Sequence, residues 1–245
     1  MDFSGETIAP LTCKQIQTTL RGIADPVIAE HSQRFFKTGK GGYGEGDRFL
    51  GIRVPILRKH VSAFQGISLT ETRKLLRSHF HEERLFALLL LVRKFEKGDV
   101  VTREAVYNLY FGNLEFVNNW DLVDSSAPYI VGQWLSDKGR ERLYILAKSE
   151  NLWERRIAII STFHFIRNNS FSDALRIALL LKHDKEDLIH KAVGWMLREI
   201  GKRDPAVEKT FLREHYREMP RTMLRYAIER FPEQERKKYL EGKAS

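Results

Sequence analysis

Beyond residue 53 the apolar residues recur at helical spacing, and no stretch sustains the alternation of a strand. The helical segments come in pairs. First members are predicted at 68–79, 101–112, 139–149, 172–183 and 205–218, second members at 83–96, 119–135, 153–167, 187–201 and 221–231. Punctuation residues agree with these breaks. Ser68 with Glu71 forms a capping-box pattern, as does Asn151 with Glu154. Asp204-Pro205 supplies an acidic cap followed by a proline at the first helical position, where a missing N–H costs nothing. Gly98, Gly112 and Gly201 suit helix exits. Further helices are predicted at 12–24, 26–37 and 53–65.

Ala87, Val123, Ala158, Ala192 and Ala227 fall 36, 35, 34 and 35 residues apart, one in each second member. Helix pairs recurring at such a period mark a solenoid, because one pair cannot bury its own apolar face. The tryptophan, glycine and tyrosine signature of tetratricopeptide repeats is missing, so the expected fold is all-α, a HEAT-like helical-repeat solenoid with a concave basic groove. Nothing reads as a linker. Residues 1–245 are expected to form a single domain, with 1–11 and 241–245 poorly ordered.

Charge sharpens this reading. Lys and Arg number 41 against 32 Asp and Glu, a net charge of +9, and such an excess favours polyanions through phosphate contacts and counterion release. Arg84, Arg155, Arg156, Lys191, Arg221 and Arg225 occupy similar places in the second members and would make a positive stripe along a groove. The bland alternative is the solvated flank of amphipathic helices. Cys13 is the single cysteine, which excludes an intrachain disulfide and a thiolate metal cluster. The N-terminus has no basic region leading into an apolar core, and the apolar run 85–92 is too short to span a bilayer, so a cytoplasmic protein is expected.

The position after the repeated Ala/Val column reads Leu88, Asp124, Ile159, Val193 and Ile228, four aliphatics and one acid. A carboxylate in an aliphatic row is costly unless paired, hydrogen-bonded or solvated at a site. Trp120 lies one helical turn earlier on the same face. Two structural readings compete: Asp121 and Asp124 complement the dipole of a starting helix, and Trp120 packs. Pro128, inside the same predicted helix, must kink it or end its regular part. Adjacent Arg155 and Arg156 point some 100° apart, so one is expected to face the groove and the other solvent or Glu154. Trp195 four residues after Lys191 suits a stacking surface with a phosphate contact, and equally suits the core.

Residues 37–51 hold six of the sixteen glycines. The pattern from Gly39 to Gly44 formally matches a dinucleotide-binding fingerprint, but no strand precedes it and no Gly-Lys-Ser/Thr closes it, so a flexible loop is expected. Lys37, Lys40 and Tyr43 there are candidates for nucleic-acid contact. His79-Phe80-His81-Glu82-Glu83 lacks metal-site spacing and reads as a helix boundary. No metal or other cofactor is expected.

Several blocks, in order, resemble the AlkD-like DNA alkylation repair glycosylases. They are Phe49-Leu50-Gly51-Ile52-Arg53-Val54-Pro55, Trp120-Asp121-Leu122-Val123-Asp124, Asn151-Leu152-Trp153-Glu154-Arg155-Arg156, and Lys191-Ala192-Val193-Gly194-Trp195-Met196-Leu197-Arg198-Glu199, within a similarity spanning roughly residues 26 to 231. The resemblance implies hydrolysis of the N-glycosidic bond of cationic N-alkylated purines, such as 3-methyladenine and 7-methylguanine, in duplex DNA. It implies no flipping of the damaged base into a pocket. By motif place Asp124 matches the catalytic aspartate, Trp120 and Trp195 the two tryptophans, and Arg156 the arginine that contacts the DNA backbone. The segment 37–47 looks like an insertion, next to the place where the family has a tyrosine near DNA; Phe35, Phe36 and Tyr43 all remain open for that role. A monomer acting on duplex DNA, away from membranes, is expected. The rival expectation is a non-catalytic scaffold that binds nucleic acid or protein through the same groove.

Overall fold

The structure is a computed structural model that describes residues 10–244, so the expectations for residues 1–9 and Ser245 lie outside the described residues. The helices are α1 (Cys13–Gly22), α2 (Pro26–Phe35), α3 (Val54–His60), α4 (Leu69–Leu76), α5 (His81–Lys97), α6 (Val100–Phe111), α7 (Trp120–Asp124), α8 (Glu141–Leu146), α9 (Leu152–Arg167), α10 (Ser172–Leu180), α11 (Asp187–Gly201), α12 (Pro205–His215), α13 (Arg221–Ala227) and α14 (Glu233–Leu240). The described residues form no β-strand; one isolated parallel bridge joins Arg48 to Phe80. No described helix is long and apolar enough to cross a membrane.

Side-chain caps mark half of the helix starts. Asp25, Asp99, Asn151 and Asp204 each accept a backbone N–H from the first turn of the helix that follows, and Pro26 and Pro205 occupy the first helical position. Ser68 caps α4 as expected, but the capping box is not closed there. The Glu71 carboxylate instead accepts the Cys13 N–H at 2.8 Å, tying the start of α1 to α4. α14 is an addition to the sequence reading. Its residues are polar on nearly every side and only Tyr239 is buried, so no apolar period announces it.

The chain divides into two compact units, one up to Val117 and one from Asn118. In the first, α5 packs against α3, α4 and α6, and α1 against α4. At the head of α5 the carboxylate of buried Glu82 accepts the N–H groups of Leu50, Gly51 and Ile52 at 2.8, 2.8 and 3.2 Å. Gly51 is required here, since its φ is +80° and a Cβ would lie 2.0 Å from the Asp25 carbonyl oxygen. Asp47 meets Arg84 at 2.6 Å and His81 at 3.2 Å in the same buried cluster. The expected helix boundary is therefore also a polar knot that fixes the chain leaving the glycine-rich segment.

In the second unit α7, α9, α11 and α13 are successive neighbours, with α8 and α10 packed on α9 and with α10 and α12 packed on α11. The repeated column predicts this packing. Ala87, Val123, Ala158, Ala192 and Ala227 are all 0% exposed, as are Leu88, Ile159, Val193 and Ile228 of the next column. Burying each large aliphatic stabilises its unit by roughly 1.5–3 kcal/mol. Small residues in the first column let the helices approach closely. A Cβ on Gly194 would stand 2.4 Å from the Met223 carbonyl oxygen, so a side chain there would force α11 and α13 apart.

Candidate active site

The predicted helix 119–135 is broken, and the break makes the site. Asn119, extended and fully buried, accepts the Trp120 N–H at 2.9 Å and starts α7. Asp121 accepts the Leu122 N–H at 2.9 Å, which is the helix-start role its position suggests. α7 ends after five residues at Asp124. Pro128 has no N–H to offer the Asp124 carbonyl four residues back, and a π-helical turn, Pro128–Gly132, replaces the regular ladder. Asp124 is thus the last residue of a truncated helix, and half-buried Trp120 lies one turn earlier.

Arg156, in the first turns of α9, faces Asp124 with a two-pronged guanidinium. Its Nε donates to Oδ1 at 2.9 Å and its Nη2 to Oδ2 at 2.8 Å. The remaining Nη1 donates to the Leu188 carbonyl at the start of α11, at 2.5 Å. Three successive helices, α7, α9 and α11, are joined through this one side chain. The Arg156 side chain is 6% exposed and that of Asp124 16%, so the pair is largely enclosed, the aspartate less deeply than the arginine. Burial pushes the Asp124 carboxyl above its ordinary range; Arg156 draws it back and Asp121 adds to the rise.

Arg155 departs from expectation. It faces neither solvent nor Glu154 but Asp184, at 2.6 and 3.2 Å, and also donates to the carbonyls of Ser149 and Glu150, both at 2.9 Å. Arg84 stands at the equivalent place on α5 and does the same. It pairs with Asp47 and donates to the Ser78 carbonyl, six residues back, as Ser149 is from Arg155. These two arginines lock the loop before their helix.

Trp195 and Lys191 lie on one face of α11, in the row Asp187, Lys191, Trp195 and Glu199. The Lys191 ammonium meets Asp187 at 2.8 Å. The Trp195 indole N–H donates to Glu199 at 2.9 Å, and its ring lies 5.9 Å from that of Phe163 on α9. Glu199 was legible as a partner only from its spacing of four, and the Leu188 carbonyl left no signal at all.

The basic groove is not shown. Of the stripe residues, Arg84, Arg155, Arg156 and Lys191 each pair with a carboxylate, and Arg221 donates to the Leu240 carbonyl. The charges of Arg84, Arg155 and Arg156 are spent inside the fold, because an enclosed guanidinium needs a counter-charge, whereas Lys191 is partly exposed and Arg221 exposed. Lys40 and Tyr43 belong to the first unit. Lys40 is exposed, whereas the Tyr43 hydroxyl donates to the Phe35 carbonyl at 3.2 Å and Lys37 lies 5.8 Å from its ring centroid. Phe36 stacks with Phe49 at 4.9 Å and meets the His81 ring at a tilt at 5.0 Å, while Phe35 is 58% exposed.

A family model described as DNA alkylation repair enzyme matches residues 16–231. The chain belongs to that family. Among solved structures, this member of the DNA alkylation repair family is similar to a predicted DNA alkylation repair enzyme from Enterococcus faecalis. The TM-score is 0.65 and the identity 16%, over 86% of this chain and 97% of the other. It is also similar to AlkD2 from Streptococcus mutans, with a TM-score of 0.55 and 18% identity, over 91% of this chain and 100% of the other. At such identities the likeness shows the all-helical fold. No curated protein matches the chain.

Proposed function

We propose that this protein is a DNA glycosylase that hydrolyses the N-glycosidic bond of cationic N-alkylated purines in duplex DNA, 3-methyladenine and 7-methylguanine among them, without flipping the base into a pocket. The observation that carries the reading is the Asp124 carboxylate, standing in an otherwise aliphatic column and held in a fork by a buried arginine, with its side chain still 16% exposed. When the C1′–N bond breaks, its electron pair neutralises the cationic purine and leaves an oxocarbenium-like sugar. A fixed carboxylate facing that cation stabilises it, and water then attacks C1′ with its proton passing to Asp124 or solvent. Preorganised charge of this kind is worth about 3–4 kcal/mol, or ~10²–10³ in rate. The leaving group is already charged, so no general acid is needed. The indole faces of Trp120 and Trp195 favour a cationic sugar or base.

Arg156 acts in this scheme through Asp124. Its Nε, Nη1 and Nη2 each donate one hydrogen bond to Asp124 or Leu188, so it orients the carboxylate and favours its ionised form against the effect of burial. Lys191, Lys40 and Tyr43 belong to the same reading as duplex contacts. The rival reading, a non-catalytic scaffold, rests on the same ion pair, since Asp124 and Arg156 satisfy one another.

The test is incubation of the protein with methylated duplex DNA, measuring released bases and abasic sites. The glycosylase reading requires release above background, and release at the uncatalysed rate would leave the scaffold.

A further inference from the structure

The first unit carries a cleft of about 290 Å³ between α3 with its following 3₁₀ turn, Val61–Phe64, and the C-terminal half of α5. Arg58, Ser62 and Arg93 line it together with Val61, Leu89 and Val92. These arginines differ from Arg84, Arg155 and Arg156. Among the described residues neither has an ion-pair or hydrogen-bond partner, and Glu96 on the same cleft pairs with neither.

Arg58 is exposed and Arg93 half-buried, and two guanidinium groups on one cleft without a carboxylate partner leave their donors available to an anion placed between them. The guanidinium fork matches the oxygens of a phosphate in geometry as well as charge, and the Ser62 hydroxyl adds a third donor. The apolar surface beside them, from Val61 and Val92, would go uncovered by a fully hydrated inorganic ion. It suits an oxyanion that carries an apolar arm, as a phosphodiester carries its sugars.

We propose that this cleft is a phosphate oxyanion site, occupied by a backbone phosphodiester of the bound duplex, with Arg58 and Arg93 as its ligands. The occupant rests on the DNA reading above; the anion site itself does not. Glu96 is the opposing charge and weakens the site.

The test uses the full chain. Fluorescence anisotropy measures affinity for an unmodified duplex against salt concentration, for wild type, Arg58→Ala/Arg93→Ala and Glu96→Gln. Binding of inorganic phosphate is measured in parallel by calorimetry. The double variant should bind duplex about tenfold or more weakly, with the salt slope reduced by about 1–2. Glu96→Gln should bind it more tightly. Equal affinity and slope for wild type and the double variant would overturn the site. Should wild type bind no duplex, phosphate binding that the double variant loses would keep the anion site while removing its DNA occupant. Absence of both would end the proposal.

Discussion

Arg155 and Arg156 are neighbours in sequence, both fork a carboxylate from another segment, and they do different things. Arg155 pairs with Asp184 and also ties down the loop carbonyls of Ser149 and Glu150. Arg84 repeats that arrangement in the first unit, with Asp47 and the Ser78 carbonyl. Arg156 pairs with Asp124, which stands in a column otherwise aliphatic and fully buried. A feature that recurs with the repeat serves the architecture. One that interrupts the repeat, where Leu88, Ile159, Val193 and Ile228 would be the cheaper choice, needs another reason to exist.

The largest effect separating the two pairs should come from Arg155→Ala. It strands a nearly buried Asp184 and leaves two loop carbonyls without their donor. A loss of about 3–5 kcal/mol in unfolding free energy is expected, read from urea titration, with base release per folded molecule unchanged. A loss of activity with stability intact would reverse the two roles.

Arg156→Lys probes the other pair more gently. It keeps the positive charge but cannot fork the carboxylate. Base release should fall about tenfold, and its acid limb should move to higher pH, because burial already raises the Asp124 carboxyl and a weaker partner opposes that less. A pH–rate profile superimposable on wild type would remove the positioning role.

Glu208 sharpens the comparison as a buried carboxyl that has no such fork. It is 3% exposed, its Oε1 has no partner, and burial pushes it to about 8 from an ordinary 4.5. The folded state therefore holds a proton that the unfolded chain has released. Its contribution to stability is complete below pH 4.5 and is lost as pH rises through about 8. Glu208→Gln should flatten that decline in melting temperature, and parallel profiles for the two proteins would contradict the assignment.

Much of this was legible in the sequence, for identifiable reasons. The second-member helices predicted at 83–96, 153–167 and 187–201 form within two residues of their expected ends, whereas 119–135 breaks after Asp124 and the α-helix at 221–231 ends at Ala227. Asp124 could be singled out as the acid in that column, and Pro128 signalled the break after it. Which of Arg155 and Arg156 meets Asp124 was not legible, since two residues 100° apart on a helix cannot be told apart without the neighbours. Nor was the neutralised stripe. Asp184 and Asp187 come from the loop before α11 and from its first turn, and the sequence does not show how far a loop acid reaches. The Leu188 contact is made by a backbone carbonyl, which every residue has.

The central claim is that Asp124 serves chemistry and Asp184 serves the fold. It is tested most directly by measuring base release from methylated duplex DNA and thermal unfolding on Asp124→Asn and Asp184→Asn side by side. The account predicts that Asp124→Asn loses about 10²–10³ in release rate while remaining folded at the assay temperature, and that Asp184→Asn melts earlier yet releases bases at the wild-type rate while folded. Base release by Asp124→Asn as fast as wild type would contradict it.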